Sequence, residues 1–117
     1  MKLKRLGFFS DLPYGDSSEK QVAASVFTIP SNEKGKVVAY LKAGRSLIVS
    51  PGFSRDVFMT EIIIGPLAIL TDGVYVWPSD LAYYVEKHDV GLPDYFLEHA
   101  RTQGWSVSDV DVRNLEM

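Results

Sequence analysis

The hydrophobic pattern divides the chain into short strand-like runs and longer helical stripes. Residues 2–9 carry Leu3, Leu6, Phe8 and Phe9 and read as a first strand. Asp11-Leu12-Pro13-Tyr14-Gly15-Asp16 is turn composition. Ser18 followed three residues later by Gln21 has capping-box form and predicts a short helix with Val22, Ala23 and Val26, stopped by Pro30. A second helix follows, capped by Ser31 or Asn32, with Val37, Val38, Tyr40 and Leu41 spaced to make one apolar face. Gly44 stands where a left-handed residue ends a helix. Ser46-Leu47-Ile48-Val49 reads as a strand, and Ser50-Pro51-Gly52 as a turn.

The strongest local signal lies at residues 67–77. Leu67–Thr71 and Val74–Trp77 flank Asp72-Gly73, the sequence of a type I′ hairpin. A two-residue loop sets Thr71 opposite Val74, Leu70 opposite Tyr75, Ile69 opposite Val76 and Ala68 opposite Trp77. One face then carries Ile69, Val74 and Val76, and the other Leu70, Tyr75 and Trp77. Both are apolar, which places the hairpin centrally in its sheet. Glu61–Ile64 extends the strand upstream, with a bend or bulge at Gly65-Pro66 because proline cannot donate to a ladder.

Pro78 suits the first turn of a further helix. Leu81, Tyr84, Val85 and His88 form its stripe, Asp80 and Lys87-His88 complement its dipole, and Gly91 ends it. Pro93-Asp94 opens the last helix, with Phe96, Leu97 and Ala100 inward, Leu92 as a staple and Gly104 as the stop. Val107, Val110 and Val112 lie in a polar tail that reads as an edge strand. The expectation is one α+β domain over residues 1–117: an antiparallel sheet with a central Asp-Gly hairpin and helices packed on it.

Composition narrows the chemistry. The 117 residues contain no Cys, which excludes disulfides and thiolate metal sites. The net charge of −3 argues against general nucleic-acid binding. No window approaches a membrane span, and the apolar run after Lys2, Lys4 and Arg5 is too short for a signal peptide, so the expected location is cytoplasmic with no membrane partner. The mean charge hides a division. Residues 1–55 balance to +5 and residues 56–117 to −8. This describes a dipolar molecule with an acidic face, unless the charges are simply spread over solvated surface.

Catalytic patterns are sparse. His88 falls on an apolar stripe, as a structural histidine does, and His99 reads as a solvated surface residue. Their spacing gives no metal site, and no glycine belongs to a phosphate-binding run. The expectation is no catalytic residues, no metal and no cofactor. Asp109 and Asp111 would share a strand face, but acid–base work needs a cleft that sequence does not reveal. The aromatics say more. Tyr83 falls off the stripe of its helix beside Asp80 and Glu86, and Tyr95 falls off the next beside Asp94 and Glu98. Exposed tyrosine ringed by carboxylates suits an interface with a basic protein. Asp80, Tyr83, Glu86, Asp94, Tyr95 and Glu98, on two adjacent helices, are therefore the candidate partner-binding residues; the alternative is that both rings lie flat on the domain.

Thr71–Val85, the Leu92-Pro93-Asp94-Tyr95-Phe96-Leu97 run and Val37–Gly44 together resemble a block found in small bacterial proteins. That group resembles immunity proteins of polymorphic-toxin and contact-dependent growth inhibition systems, over roughly residues 37–100. The resemblance implies a binding protein without catalytic residues, whose partner is a toxin domain, often a nuclease, blocked at its active site or substrate groove. Two other classes stay open at this point: a regulatory or adaptor module for another protein, and a small enzyme using carboxylates and a histidine.

Overall fold

The computed structural model describes residues 3–8, 29 and 32–107, apart from the side chain of Ser50. In chain order the elements are β1 (Lys4–Arg5), α1 (Lys34–Lys42), β2 (Arg45–Arg55), β3 (Ile63–Thr71), β4 (Tyr75–Pro78), α2 (Leu81–His88) and α3 (Asp94–Thr102). The strand order β1-β4-β3-β2 puts the β3–β4 pair at the centre of the sheet. The fold is α+β, as expected from the sequence. The sheet is not wholly antiparallel, because β1 runs parallel to β4. The expected helix at Ser18–Val26, the Asp11–Asp16 turn, the Ser31 cap and the tail valines Val110 and Val112 lie outside the described residues, as do Asp109 and Asp111.

One face of the sheet carries Tyr75, Trp77 and the half-buried Leu70 against the helices. There they join Val37, Tyr40 and Leu41 of α1, Leu81 and Val85 of α2, and Phe96, Leu97 and Ala100 of α3. Trp77 is fully buried and satisfies its indole N–H on the Leu41 carbonyl at 3.1 Å, so its large apolar area is buried without a stranded donor. The opposite face carries Val76 with Leu3 and Phe8, and the half-buried Leu47 and Ile69. No described helix is long and apolar enough to cross a membrane.

The hairpin keeps these two faces but not the expected register. Thr71 pairs with Val76, Leu70 with Trp77 and Ile69 with Pro78. The offset is two positions, an even number, so Leu70, Tyr75 and Trp77 stay on one side. Val74 alone changes sides and packs with the helical core. The cause is side-chain closure of the turn. Asp72 Oδ1 accepts the N–H groups of Val74 and Tyr75 at 2.9 and 2.7 Å. Thr71 Oγ1 donates to the Tyr75 carbonyl at 2.7 Å and accepts the Gly73 N–H at 3.0 Å. Gly73 takes φ 97°, but Asp72 is not left-handed, so this is not a type I′ turn.

Other local expectations need correcting. Ser50-Pro51-Gly52 is not a turn; β2 runs through it, with its pairing to β3 broken between Val49 and Phe53. An outer strand tolerates proline at such an irregularity. The bulge expected at Gly65-Pro66 is present, between the Ser54–Gly65 and Arg55–Ile63 pairs. Pro78 ends β4 instead of opening a helix. Asp89, at φ 53°, ends α2 before Gly91 is reached. Gly44 is not left-handed, since α1 ends on Ala43 in a right-handed conformation. Glycine is needed at 44 for space: a Cβ there would lie 2.7 Å from Trp77 Cζ2. Gly104, at φ 67°, stops α3 as expected, and the Trp105 N–H closes onto the Ala100 carbonyl at 2.9 Å.

Candidate functional site

Two aspartates organise the polar chemistry of the domain. Asp56 follows directly on β2 and Asp72 directly on β3, so each begins the turn that leaves its strand. Aspartate suits that position because its carboxylate reaches the backbone N–H groups two and three residues ahead. Asp56 Oδ1 accepts the N–H groups of Phe58 and Met59 at 2.7 and 3.2 Å. Its Oδ2 accepts Tyr83 Oη and faces His88 Nε2, each at 2.6 Å. Asp72 repeats the arrangement: Oδ1 holds Val74 and Tyr75, and Oδ2 meets Tyr40 Oη at 2.5 Å and His99 Nε2 at 2.9 Å.

The electrostatics follow from this geometry. Burial opposes ionisation of Asp56, but the hydrogen bonds from Tyr83, His88 and the two backbone amides outweigh it and bring its carboxyl down to about 2. The Tyr83 hydroxyl is pushed up by its bond to Asp56 and by burial. The Tyr40 phenol is pushed up by burial, then by its bond to Asp72. A carboxylate has about four lone-pair sites, and each of these aspartates uses four. Neither has an acceptor left for a substrate proton unless its turn comes apart. Among the described residues no group of three His, Asp or Glu is placed to hold a metal ion.

These clamps relocate several residues singled out from the sequence. Asp80 is buried, at 1% exposure, and accepts Ser54 Oγ at 2.5 Å. It joins the start of α2 to β2 and is removed from any exposed face. Tyr83 is half-buried, with its hydroxyl committed to Asp56. His88 is half-buried, with its ring Nε2 against Asp56. His99 is not a solvated residue, because its side chain is 18% exposed and bonded to Asp72. Glu86, Asp94 and Glu98 are exposed. Glu98 lies 3.3 Å from Arg101, and Glu86 is 4.0 Å from Lys87.

Tyr83 and Tyr95 are anchored at opposite ends of β3. Tyr83 is tied to Asp56, whose N–H bonds the Ile62 carbonyl at the start of β3. Tyr95 stacks on Tyr75, beside the turn that follows the end of β3, with ring centres 6.2 Å apart and planes 21° apart. The strand between these ends spans about 25–30 Å at ~3.3 Å per residue. Tyr95 stays 63% exposed while its ring rests on Tyr75. Of the six candidates, Asp94, Tyr95 and Glu98 remain together on the outer side of α3.

Neighbouring ion pairs fix that helix. Arg101 reaches both carboxylate oxygens of Glu33 at the start of α1, at 2.8 and 2.6 Å. Lys34 pairs with Asp89 at the end of α2. The adjoining residues Glu33 and Lys34 thus hold the C-terminal ends of both α2 and α3. Sequence reading passed over Asp56, Asp72, Tyr40 and His99 as polar partners. The one local signal was aspartate directly after a strand at 56 and at 72. Comparison of the chain with family models, with curated proteins and with solved structures gives no match.

Proposed function

We propose that this chain is an immunity-type protein that binds a cognate bacterial toxin domain, a nuclease by preference, and covers its active site or substrate groove. The observation that carries the reading is Tyr95: a tyrosine 63% exposed, yet seated on Tyr75 and flanked on its helix by exposed Asp94 and Glu98. An aromatic ring already held in place loses little freedom on binding, and such residues make interface anchors. Carboxylates around it attract a basic surface and speed encounter. The acidic balance of residues 56–117 favours the same kind of partner.

The test is co-expression with the toxin domain encoded beside it. Relief of growth arrest by the wild-type chain, and its loss with Tyr95→Ala at equal protein level, support the reading. Arrest unaffected by the wild-type chain overturns it.

A further inference from the structure

The two faces of the Tyr95 ring differ. One rests on Tyr75, with the ring planes 21° apart. The residue is still 63% exposed, so the other face is open. Tyr75 beneath it is itself held. It is buried, its N–H donates to Asp72 Oδ1 at 2.7 Å, and its ring meets Phe96 edge-on at 5.1 Å. This pair of rings already carries a cation on its inner member: Lys4 Nζ lies 5.7 Å from the centre of the Tyr75 ring, within the range of attraction between an ammonium and an aromatic face. The outer face of Tyr95 presents the same negative quadrupole to whatever approaches α3.

Helix geometry sets the charges beside that face. Asp94, Tyr95 and Glu98 stand at i, i+1 and i+4 of α3, an arc of about 100° around the helix. Two carboxylates at i and i+4 repel each other. Arg101 meets only one of them: its Nη1 lies 3.3 Å from Glu98 Oε2, while its Nε and Nη2 are forked on the two oxygens of Glu33. Asp94 has no ion pair among the described residues. A group that satisfies both the open ring and these carboxylates must be flat, cationic and rimmed with N–H donors. A guanidinium is all three, stacking by its face and donating by its edge, whereas an ammonium is a compact point charge. We infer that the Asp94–Tyr95–Glu98 surface receives an arginine side chain of the partner, its guanidinium laid on the outer face of Tyr95 and its edge turned to Asp94 and Glu98. This rests on the toxin-binding reading and names the residue type that the toxin domain presents there.

The experiment needs no toxin. The full chain is titrated with N-acetyl-arginine amide, and in parallel with N-acetyl-lysine amide, and backbone amide signals are followed by NMR. The expected result is saturable shifts in α3 and around Tyr75, with arginine binding about threefold tighter than lysine. Tyr95→Phe should keep that preference, since the ring is needed and the hydroxyl is not. Tyr95→Leu keeps apolar bulk without a π face and should abolish the preference at an unchanged thermal midpoint. Glu98→Gln should weaken arginine binding about twofold. If Tyr95→Leu fails to fold, Tyr95→Gln takes its place. Equal binding of the two amides, or a preference that survives loss of the ring, overturns the inference. An arginine preference with growth arrest unrelieved by the wild-type chain upholds the guanidinium seat and removes the toxin as its source. Relief of arrest without the preference overturns the seat and leaves the toxin reading standing.

Discussion

Asp56 and Asp72 make the same set of four hydrogen bonds: two turn amides on one oxygen, and a tyrosine hydroxyl and a histidine Nε2 on the other. They sit at opposite ends of β3. One ties α2 to the β2–β3 turn, and the other ties α1 and α3 to the hairpin. Each links a local turn to a helix distant in sequence, so turn closure and helix docking form together.

Substitution should therefore show the two clamps to be of similar weight. Asp56→Ala or Asp72→Ala strands four donors, and each should lower stability by ~3–4 kcal/mol, since an orphaned buried polar group costs on the order of 1–3 kcal/mol. Asp→Asn at either site keeps an acceptor for the turn amides but sets an NH2 donor where Oδ2 accepted the tyrosine hydroxyl and met the histidine, so it should cost less than alanine, about 2–3 kcal/mol. Urea midpoints of the four variants check the ranking. An alanine variant no weaker than its asparagine counterpart would contradict the assigned geometry.

The Asp56 clamp also sets an acid limit. Its folded value of about 2 lies below the ordinary 3.8, so between those values the unfolded chain binds more protons than the folded one. Stability from this group is complete above about pH 4 and disappears as the pH falls toward 2. Urea midpoints measured from pH 5 down to pH 2 should converge for the wild type and Asp56→Asn. A constant gap across that window would count against the clamp.

Much of the fold was legible because it is written in local spacing. The stripes Val37–Leu41, Leu81–Val85 and Phe96–Ala100 mark the three described helices, and the alternation through 69–77 marks the two sheet faces. The hairpin register was not legible, because Asp72 closes the turn with its side chain while Tyr40 and His99, 32 and 27 residues away, hold its other oxygen. Tyr83 looked like a surface residue because it falls off the apolar stripe of α2. Its partner Asp56 lies 27 residues upstream, and nothing local connects the two. Asp80 was misplaced for the same reason, its partner Ser54 being on the far side of β3 in sequence. Asp94, Tyr95 and Glu98 were legible because their exposure depends on helix periodicity alone.

Gly44 is held by packing and not by backbone conformation. A Cβ there would lie 2.7 Å from Trp77 Cζ2 and 2.9 Å from Leu70 Cβ. Gly44→Ala should therefore cost ~1–3 kcal/mol as overpacking, with a changed near-ultraviolet circular dichroism signal as Trp77 shifts. A neutral or stabilising effect would mean that the α1–β2 junction has room to relax.

The two tyrosines that the sequence presents as equivalent should separate cleanly. Tyr95→Ala removes an exposed ring resting on Tyr75, so stability should change by no more than ~0.5 kcal/mol. Affinity for the toxin domain should fall at least about tenfold. Glu98→Gln and Asp94→Asn should act mainly on the association rate and flatten its salt dependence, because exposed charges steer encounter more than they hold the complex. Tyr83→Phe should do the reverse. It removes the hydroxyl that bonds Asp56, lowering the urea midpoint, and leaves the association and dissociation rates of the toxin complex unchanged. Stopped-flow binding alongside equilibrium unfolding of both variants decides the matter. If Tyr83→Phe weakens toxin binding without loss of stability, the contact surface lies on α2 and not on α3.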